Sequence, residues 1–346
     1  MRNYSFLNLL LLISWITACQ PAQESESVST PSYQQWHKIT LSFEGPETSE
    51  DAEDNPFLNY RLVATFRNGN QTFEVPGFYA ADGNAAESSA SSGNVWQVRF
   101  APNTEGEWTY EISFRKGDSI AVSTDTNAGE PVAFDGEQGS FQVVASDKQG
   151  RDFRAKGKLQ YVGERYLQIA GTDGYYLKGG AGSPENLLGY VDFDGTEFGG
   201  QEGHKDGEAP VDKELHVYED HIRDWNEDDP SWQGGKGKGI YGGLNYLAGK
   251  GVHSLYILNL NIRGDGEDVW PYTGYEERYR FDCSKLDQWE MVFTHADSLG
   301  ILLHFFTQET ENELLLDNGE LGTQRKLYYR ELIARFAHHL GVAWNM

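Results

Sequence analysis

The chain has 346 residues, with 28 Lys and Arg against 53 Asp and Glu, a formal net charge of −25, and only two cysteines. That balance argues against nucleic-acid binding, which rests on basic groups neutralising phosphates, and against electrostatic adhesion to an anionic membrane; it suits solubility first and attraction of a cationic substrate second. The length allows two domains, and two cysteines cannot staple a fold of this size, so each domain must hold by packing.

At the N-terminus Arg2 precedes the apolar run "FLNLLLLISWI", too short to span a bilayer and suited to the core of a signal peptide. The stretch Ile16-Thr17-Ala18-Cys19 that follows has the form of a bacterial lipobox. The expectation is a lipoprotein signal peptide over 1–18, lipidation of Cys19, and a polar tether over 19–35 that cannot bury a core. A plain secretory signal with an incidental cysteine is the alternative. The lipoprotein reading places the protein across the inner membrane, anchored to the cell envelope on its periplasmic or surface side, with the outer membrane expected. Lipid on Cys19 leaves Cys283 without an intrachain partner, and its place just before a helix marks it as inert.

Residues 36–147 carry a two-residue rhythm. In "EWTYEISFR", Trp108, Tyr110, Ile112 and Phe114 alternate with Thr109, Glu111, Ser113 and Arg115, which sends apolar side chains to one face of a strand. "KITLSF", "YRLVATFR", "QTFEVPGFYA", "VWQVRF" and "GSFQVVAS" read the same way, separated by turn-rich pieces such as "RNGNQ" and "PNTEGE". Short strands at this spacing predict an antiparallel β-sandwich of immunoglobulin type. The acidic stretch "EGPETSEDAEDNP" suits a solvated loop, with a Ca²⁺ site as the lesser reading.

From 148 to 346 the rhythm changes. A hairpin, "GKLQYVGERYLQIAG", leads into "YYLKGG", the first of a series of strands beginning near 175, 252, 301 and 341 with helices between them. "GVHSLYILNLNIRGDG" is apolar enough to be covered on both faces. "SKLDQWEMVFTHADSLG" predicts an amphipathic helix capped by Ser284, with Asp287 three residues on and Gly300 closing it. "GIYGGLNYLAGKG" and "TQRKLYYRELIARFAHHL" supply further helices. Repeated βα units predict a parallel sheet, and "GGAGSPEN" lacks the glycine spacing of a nucleotide-binding turn. The fold class expected is therefore multidomain, a sandwich followed by the first half of a (β/α)8 barrel, because such barrels need about 250 residues.

In such a barrel the chemistry sits at the C-terminal ends of the strands. Those ends carry Lys178, Glu185 and Asn186; then Asn259, Asn261, Arg263, Asp265, Asp268 and Trp270; then His304, Gln308, Glu309, Glu311 and Asn312; and finally Trp344 and Asn345. Amides, carboxylates and aromatic rings together suit a sugar, whose hydroxyls pair with the polar groups while its apolar face stacks on the rings. No cofactor is implied.

The stretches "YYLKGGAGSPENLLGYVDFDGT", "DDPSWQGGKGKGIYGGLNYLA", "GEDVWPYTGYEERYRFDCSKLDQWE" and "TQETENELLLDNGELGTQRKLYYRELIARFAHHLGVAWNM" resemble bacterial secreted proteins with an N-terminal β-sandwich domain of unknown function and a glycoside-hydrolase-like barrel. That barrel is similar to the apiosidase-like ones and more distantly to retaining β-glycosidases. "NPF", "VPGFYAADGN" and "VRFAPNTEGEW" carry the resemblance in the sandwich. It implies hydrolysis of a polysaccharide or oligosaccharide by two carboxylates, with retention expected. It also implies an acid/base just after Met346 and a nucleophile on a later strand, so that the chain is an N-terminal fragment and inactive by itself. The substrate-binding residues expected within it are Lys178, Asn186, Asn261, Asp265, Trp270, His304, Gln308, Glu309, Asn312, Trp344 and Asn345. A non-catalytic glycan-binding surface lipoprotein is the competing class.

Bland roles stand beside these. Glu309 and Glu311 lie two residues apart, and as a catalytic pair compete with substrate binding by Glu309 and with cap or loop roles. His304 orients a substrate or sits satisfied in the core, Trp270 stacks on a sugar or packs under its loop, and Lys178 meets substrate or a barrel carboxylate. His338 and His339 close a helix, where partial positive charge suits the dipole. "GDGEDVW" lacks the spacing of an EF-hand, and no Ser forms a nucleophile elbow. Partners expected are a carbohydrate and, through lipid alone, a membrane; nucleic acid is not expected, and protein partners are not specified.

Overall fold

The computed structural model describes residues 1, 30–180, 185–199, 214–264 and 266–346. The expectations for the signal segment and Cys19, and for Asp265, lie outside the described residues. Pro31–Met346 forms one compact unit, distinct from Met1–Thr30. Among the described residues no helix is long and apolar enough to cross a membrane.

The period-two segments form strands as their alternation predicts. They are β1 (Ser32–Gln34), β2 (Ile39–Ser49), β3 (Tyr60–Asn68), β4 (Gln71–Pro76), β5 (Phe78–Tyr79), β6 (Ser92–Phe100), β7 (Gly106–Lys116), β8 (Glu130–Pro131) and β9 (Gln138–Val144). One-turn helices α1 (Pro56–Asn59) and α2 (Ala85–Ser88) interrupt them. One sheet runs β1-β9-β7-β3-β4 with β8 beside β7, and the other β2-β6-β5. All pairs are antiparallel except β1 with β9. The sheets meet through rings: Phe66 of β3 stacks on Phe100 of β6 at 4.2 Å, and Trp96 of β6 meets Phe114 of β7 at 4.7 Å. Trp108, Ile112 and Phe114 are buried as the alternation requires, whereas Tyr110 stays half-covered.

The hairpin is present as β10 (Leu159–Gln160) and β11 (Gln168–Ile169). Beyond it come α3 (Lys238–Gly249), β12 (Ser254–Leu258), α4 (Cys283–Leu299), β13 (Leu302–Phe306), α5 (Thr323–Phe336) and β14 (Val342–Asn345). The three strands pair in parallel in the order β12-β13-β14, with α4 and α5 as crossovers. Gly300 ends α4 at φ +65°, where an added Cβ would stand 2.2 Å from the Arg151 carbonyl oxygen, so only glycine fits this left-handed cap.

Two expectations need correction. "YYLKGG" is not a named strand: it makes an isolated bridge, Tyr175 with Gln168, and lends the Gly179 carbonyl to the His253 N–H just before β12. Its glycines and lack of β-branched residues leave it extended beside the sheet without a ladder. The cap of α4 is Asp282 and not Ser284: the Asp282 carboxylate accepts from Lys285 N at 2.8 Å, and the Ser284 hydroxyl itself donates to Asp282. Asp287 is thereby released to pair with Arg99 of β6 at 2.7 Å.

Each strand of the parallel sheet has two different faces. Leu255, Ile257, Leu303 and Phe305 are buried; Phe305 meets Phe293 of α4 at 5.0 Å, and Phe336 of α5 lies beyond. Tyr256, His304 and Phe306 line the other face and are only half-buried. One continuous apolar cluster runs from Ile39 in the first sheets to Phe336 of α5, with smaller clusters around Phe153 and Phe78 beside it.

Candidate functional site

Register fixes which strand ends meet. Leu258 pairs with Phe306 and Phe306 with Asn345, so all three strands finish on one edge of the sheet. The chain then continues the pairing briefly, with the Asn259 N–H donating to the Phe306 carbonyl and the Glu309 N–H to the Leu260 carbonyl.

The loops at this edge are tied by the amides that the composition singled out. Asn312 Oδ1 accepts from Ile262 N at 2.7 Å and its Nδ2 donates to Ile262 O at 2.8 Å, pinning the loop after β12 to the turn after β13. Asn186 and Asn261 both donate to the Glu267 carbonyl, and Asn261 bridges to Val269 through its backbone. Gln308 donates to the Asn312 carbonyl. Asp268 accepts from the Arg263 and Gly199 N–H groups, and burial raises its pKa. Asn186, Asn261 and Asn312 are thus buried ties of the rim; their amides reach backbone, which sequence alone does not separate from reaching a sugar.

Trp270 lies under its loop at 2% exposure, edge-on to Tyr275 and beneath the Lys285 ammonium, so it offers no stacking surface to solvent. Trp344 shares the helix-covered face with its register partner Phe305 at 5.1 Å. Its packing role follows from the two-residue period, which turns Asn345 the other way and leaves it exposed. Glu309 caps the short turn after β13, its carboxylate accepting from Thr310 N, and Glu311 is exposed.

What the fold does bring together lies on the half-covered face. Lys178 Nζ stands 2.7 Å from His304 Nδ1. The ammonium has only donors, so Nδ1 accepts and the ring proton sits on Nε2. Burial first, and the Lys178 charge second, depress the His304 pKa, keeping the ring neutral. Phe306 lies 4.7 Å from His304 and 3.7 Å from Tyr256. Burial, then the Glu309 and Glu185 charges, push the Tyr256 hydroxyl up to about 12, which places both carboxylates within electrostatic reach of it. The cavity beside this face, about 460 Å³, is lined by Tyr166, Tyr176, Lys178, His304 and Ala343 among others. Tyr256 and Phe306 were missed as members of the site, whereas Glu185 was among the residues expected at the strand ends. The signal for the two rings was the two-residue period of "SLYIL" and "LLHFF", which sets Tyr256, His304 and Phe306 on one face.

Chemically this face offers a neutral imidazole donor, an ammonium and the rings of Tyr166, Tyr176, Tyr256 and Phe306, with the charges of Glu309 and Glu185 felt at Tyr256, a set able to hold a hydroxylated ring compound. Comparison with known proteins agrees with the architecture. Residues 32–115 match a family model described as a domain of unknown function, DUF5060. No curated protein matches the chain. The fold is similar to that of a solved structure described as a "putative glycoside hydrolase" from Bacteroides vulgatus, at TM-score 0.55 and 17% identity, over 91% of this chain and 49% of that one. A further match, to the type III pullulan hydrolase from Thermococcus kodakarensis, has a TM-score of 0.17 at 16% identity, covers 78% of this chain and 38% of that one, and carries no argument. The chain thus spans about half the length of the Bacteroides protein whose fold it shares.

Proposed function

We propose that this chain is the N-terminal part of a glycoside hydrolase acting on a polysaccharide or oligosaccharide. In this reading the first two sheets are an immunoglobulin-like domain, and β12, β13 and β14 belong to one half of a (β/α)8 barrel of apiosidase-like kind. The observation that carries the reading is the common C-terminal edge of the three parallel strands, where Asn259, Glu309 and Asn345 gather. That is the position of active sites in such barrels. The likeness to the Bacteroides structure supports the same architecture.

The mechanism proposed uses two carboxylates with retention. In this proposal Glu309, engaged as the cap of its turn, is not one of the pair, and the acid/base is assigned to the stretch after Met346 and the nucleophile to a later strand. Within this chain, His304 and Lys178 bind substrate hydroxyls, and Tyr256 and Phe306 border the sugar ring. Lipid on Cys19 would hold the enzyme at the cell envelope.

The test is release of reducing sugar from a broad glycan panel by the full-length protein. Release that is abolished by replacing a glutamate after Met346 is the expected outcome; a folded, full-length protein that cleaves nothing refutes the assignment. The capping role of Glu309 favours one competing reading, a glycan-binding surface lipoprotein. Saturable glycan binding without turnover would identify it.

A further inference from the structure

Away from the strand ends, a buried cluster occupies the joint between α4, the end of α5 and the first sheets. Glu290 of α4 presents Oε1 to His338 Nε2 at 3.1 Å and Oε2 to His339 Nε2 at 2.8 Å. The far nitrogen of His339, Nδ1, lies 2.8 Å from Asp297 Oδ2. The Glu290, His338 and His339 side chains are each only 2–3% exposed. One donor atom from each of the three falls within 4.8 Å of the others. Two imidazoles and a carboxylate are a donor set of divalent d-block cations. A ligating histidine whose other nitrogen donates to a carboxylate is the usual outer-shell arrangement, and here Asp297 provides it. His339, held between two carboxylates, directs both ring nitrogens at them, so a cation would take the place of its Nε2 proton.

We propose that Glu290, His338 and His339 form a binding site for a divalent d-block cation, with Zn²⁺ the best match to two nitrogens and one oxygen, and with Asp297 orienting His339. A cavity of about 160 Å³ borders His338 and His339 and is lined also by Trp36, His37 and Lys38, giving room for a water as fourth ligand. Lys38 is the competitor: its ammonium stands 2.8 Å from Glu290 Oε1. At 34% exposure it can turn into water when the cation enters; Arg99, paired with Asp287 at 2.7 Å, also stands 3.6 Å from Glu290 Oε2 and is the second cation that the metal must displace from that carboxylate. Entry of the cation displaces the Nε2 protons that both histidines direct at Glu290: that of His339 is released, and that of His338 moves to its unpartnered Nδ1.

The experiment is a Zn²⁺ titration of chelator-treated protein at neutral pH against a chromophoric chelator, read beside the Co²⁺ absorption spectrum. About one Zn²⁺ is taken up per chain in a tetrahedral site. Lys38→Met tightens uptake about tenfold, and His338→Gln weakens it about tenfold or more. Absence of Zn²⁺ uptake overturns the proposal, as does uptake that both substitutions leave unchanged, which belongs to other histidines. If His338→Gln fails to fold by circular dichroism, Lys38→Met decides alone, because its side chain is partly exposed. Unchanged affinity then overturns the site.

Discussion

Glu50 lies at the end of β2, 8% exposed, and its Oε1 accepts the N–H of Cys283 at 2.7 Å in the first turn of α4. Burial first, and the neighbouring Asp282 charge second, raise its pKa from 4.5 to about 7. The folded midpoint therefore lies above the unfolded one. Below pH 4.5 the acid is protonated in both states and its contribution is fully present. Between 4.5 and about 7 the unfolded chain gives up its proton first, so stability falls as pH rises, and above about 7 the contribution is lost. A displacement of this size corresponds to roughly 3 kcal/mol. Replacing the acid by its amide, Glu50→Gln, keeps an acceptor for the Cys283 N–H and removes the ionisation. Chemical denaturation at pH 5 and pH 8.5 measures the effect: the loss of stability between those two pH values should be smaller in Glu50→Gln by up to about 3 kcal/mol. An equal loss in both proteins would refute the reasoning, because Glu50 would then ionise as easily inside the fold as outside it.

Asn312→Ala removes both partners of Ile262 and leaves a buried N–H and carbonyl unpaired; thermal or chemical unfolding should register a loss of about 1–3 kcal/mol for each group left unpaired. Arg335→Met strands the buried Glu331, 3.2 Å away, and frees the Tyr79 carbonyl, for which denaturant melts should show about 3–5 kcal/mol of destabilisation. Lys178→Met removes the cation that helps depress His304; NMR titration of the ring should show its midpoint moving up, and an unmoved midpoint would mean that burial alone sets it.

The alternation in "EWTYEISFR" and the helical spacing in "SKLDQWEMVFTHADSLG" were readable because burial imposes a period on each, and both elements stand where the period puts them. The cap of α4 was misplaced because Asp282 and Ser284 are both competent caps two residues apart, and in the fold the Asp282 carboxylate takes the Lys285 N–H while Asp287 pairs with Arg99. At the site, residue type predicted polarity but not its target. Asn186, Asn261 and Asn312 each bond to neighbouring backbone, and Trp344 packs edge-on against Phe305. Conversely, Tyr256 and Phe306 read as core residues of apolar runs, yet lie on the half-covered face. A strand's face is set by register with its neighbours, which a single run cannot reveal.

The first sheets act on the parallel sheet through the ends of its crossover helices. At the start of α4, Glu50 holds the Cys283 N–H, Asn55 Nδ2 donates to the Tyr279 carbonyl at 3.0 Å, and Arg99 pairs with Asp287. On α5, Arg330 donates to the carbonyls of Gly77 and Leu62, and Arg335 to that of Tyr79. Hydrogen bonds from charged groups contribute roughly 1.5–3 kcal/mol each, and the three guanidiniums here cross from one set of elements to the other. β13 and β14 follow α4 and α5 after short connections, so the position of their C-terminal ends depends on where these helices are clamped. A carbohydrate-binding module on a flexible tether would have no such effect, since interfaces of that kind leave domains free to move. Substitutions at Glu50 or Arg99, neither of which lines the cavity beside Lys178 and His304, therefore have a physical route to the strand ends: they loosen the helix that sets where β13 starts.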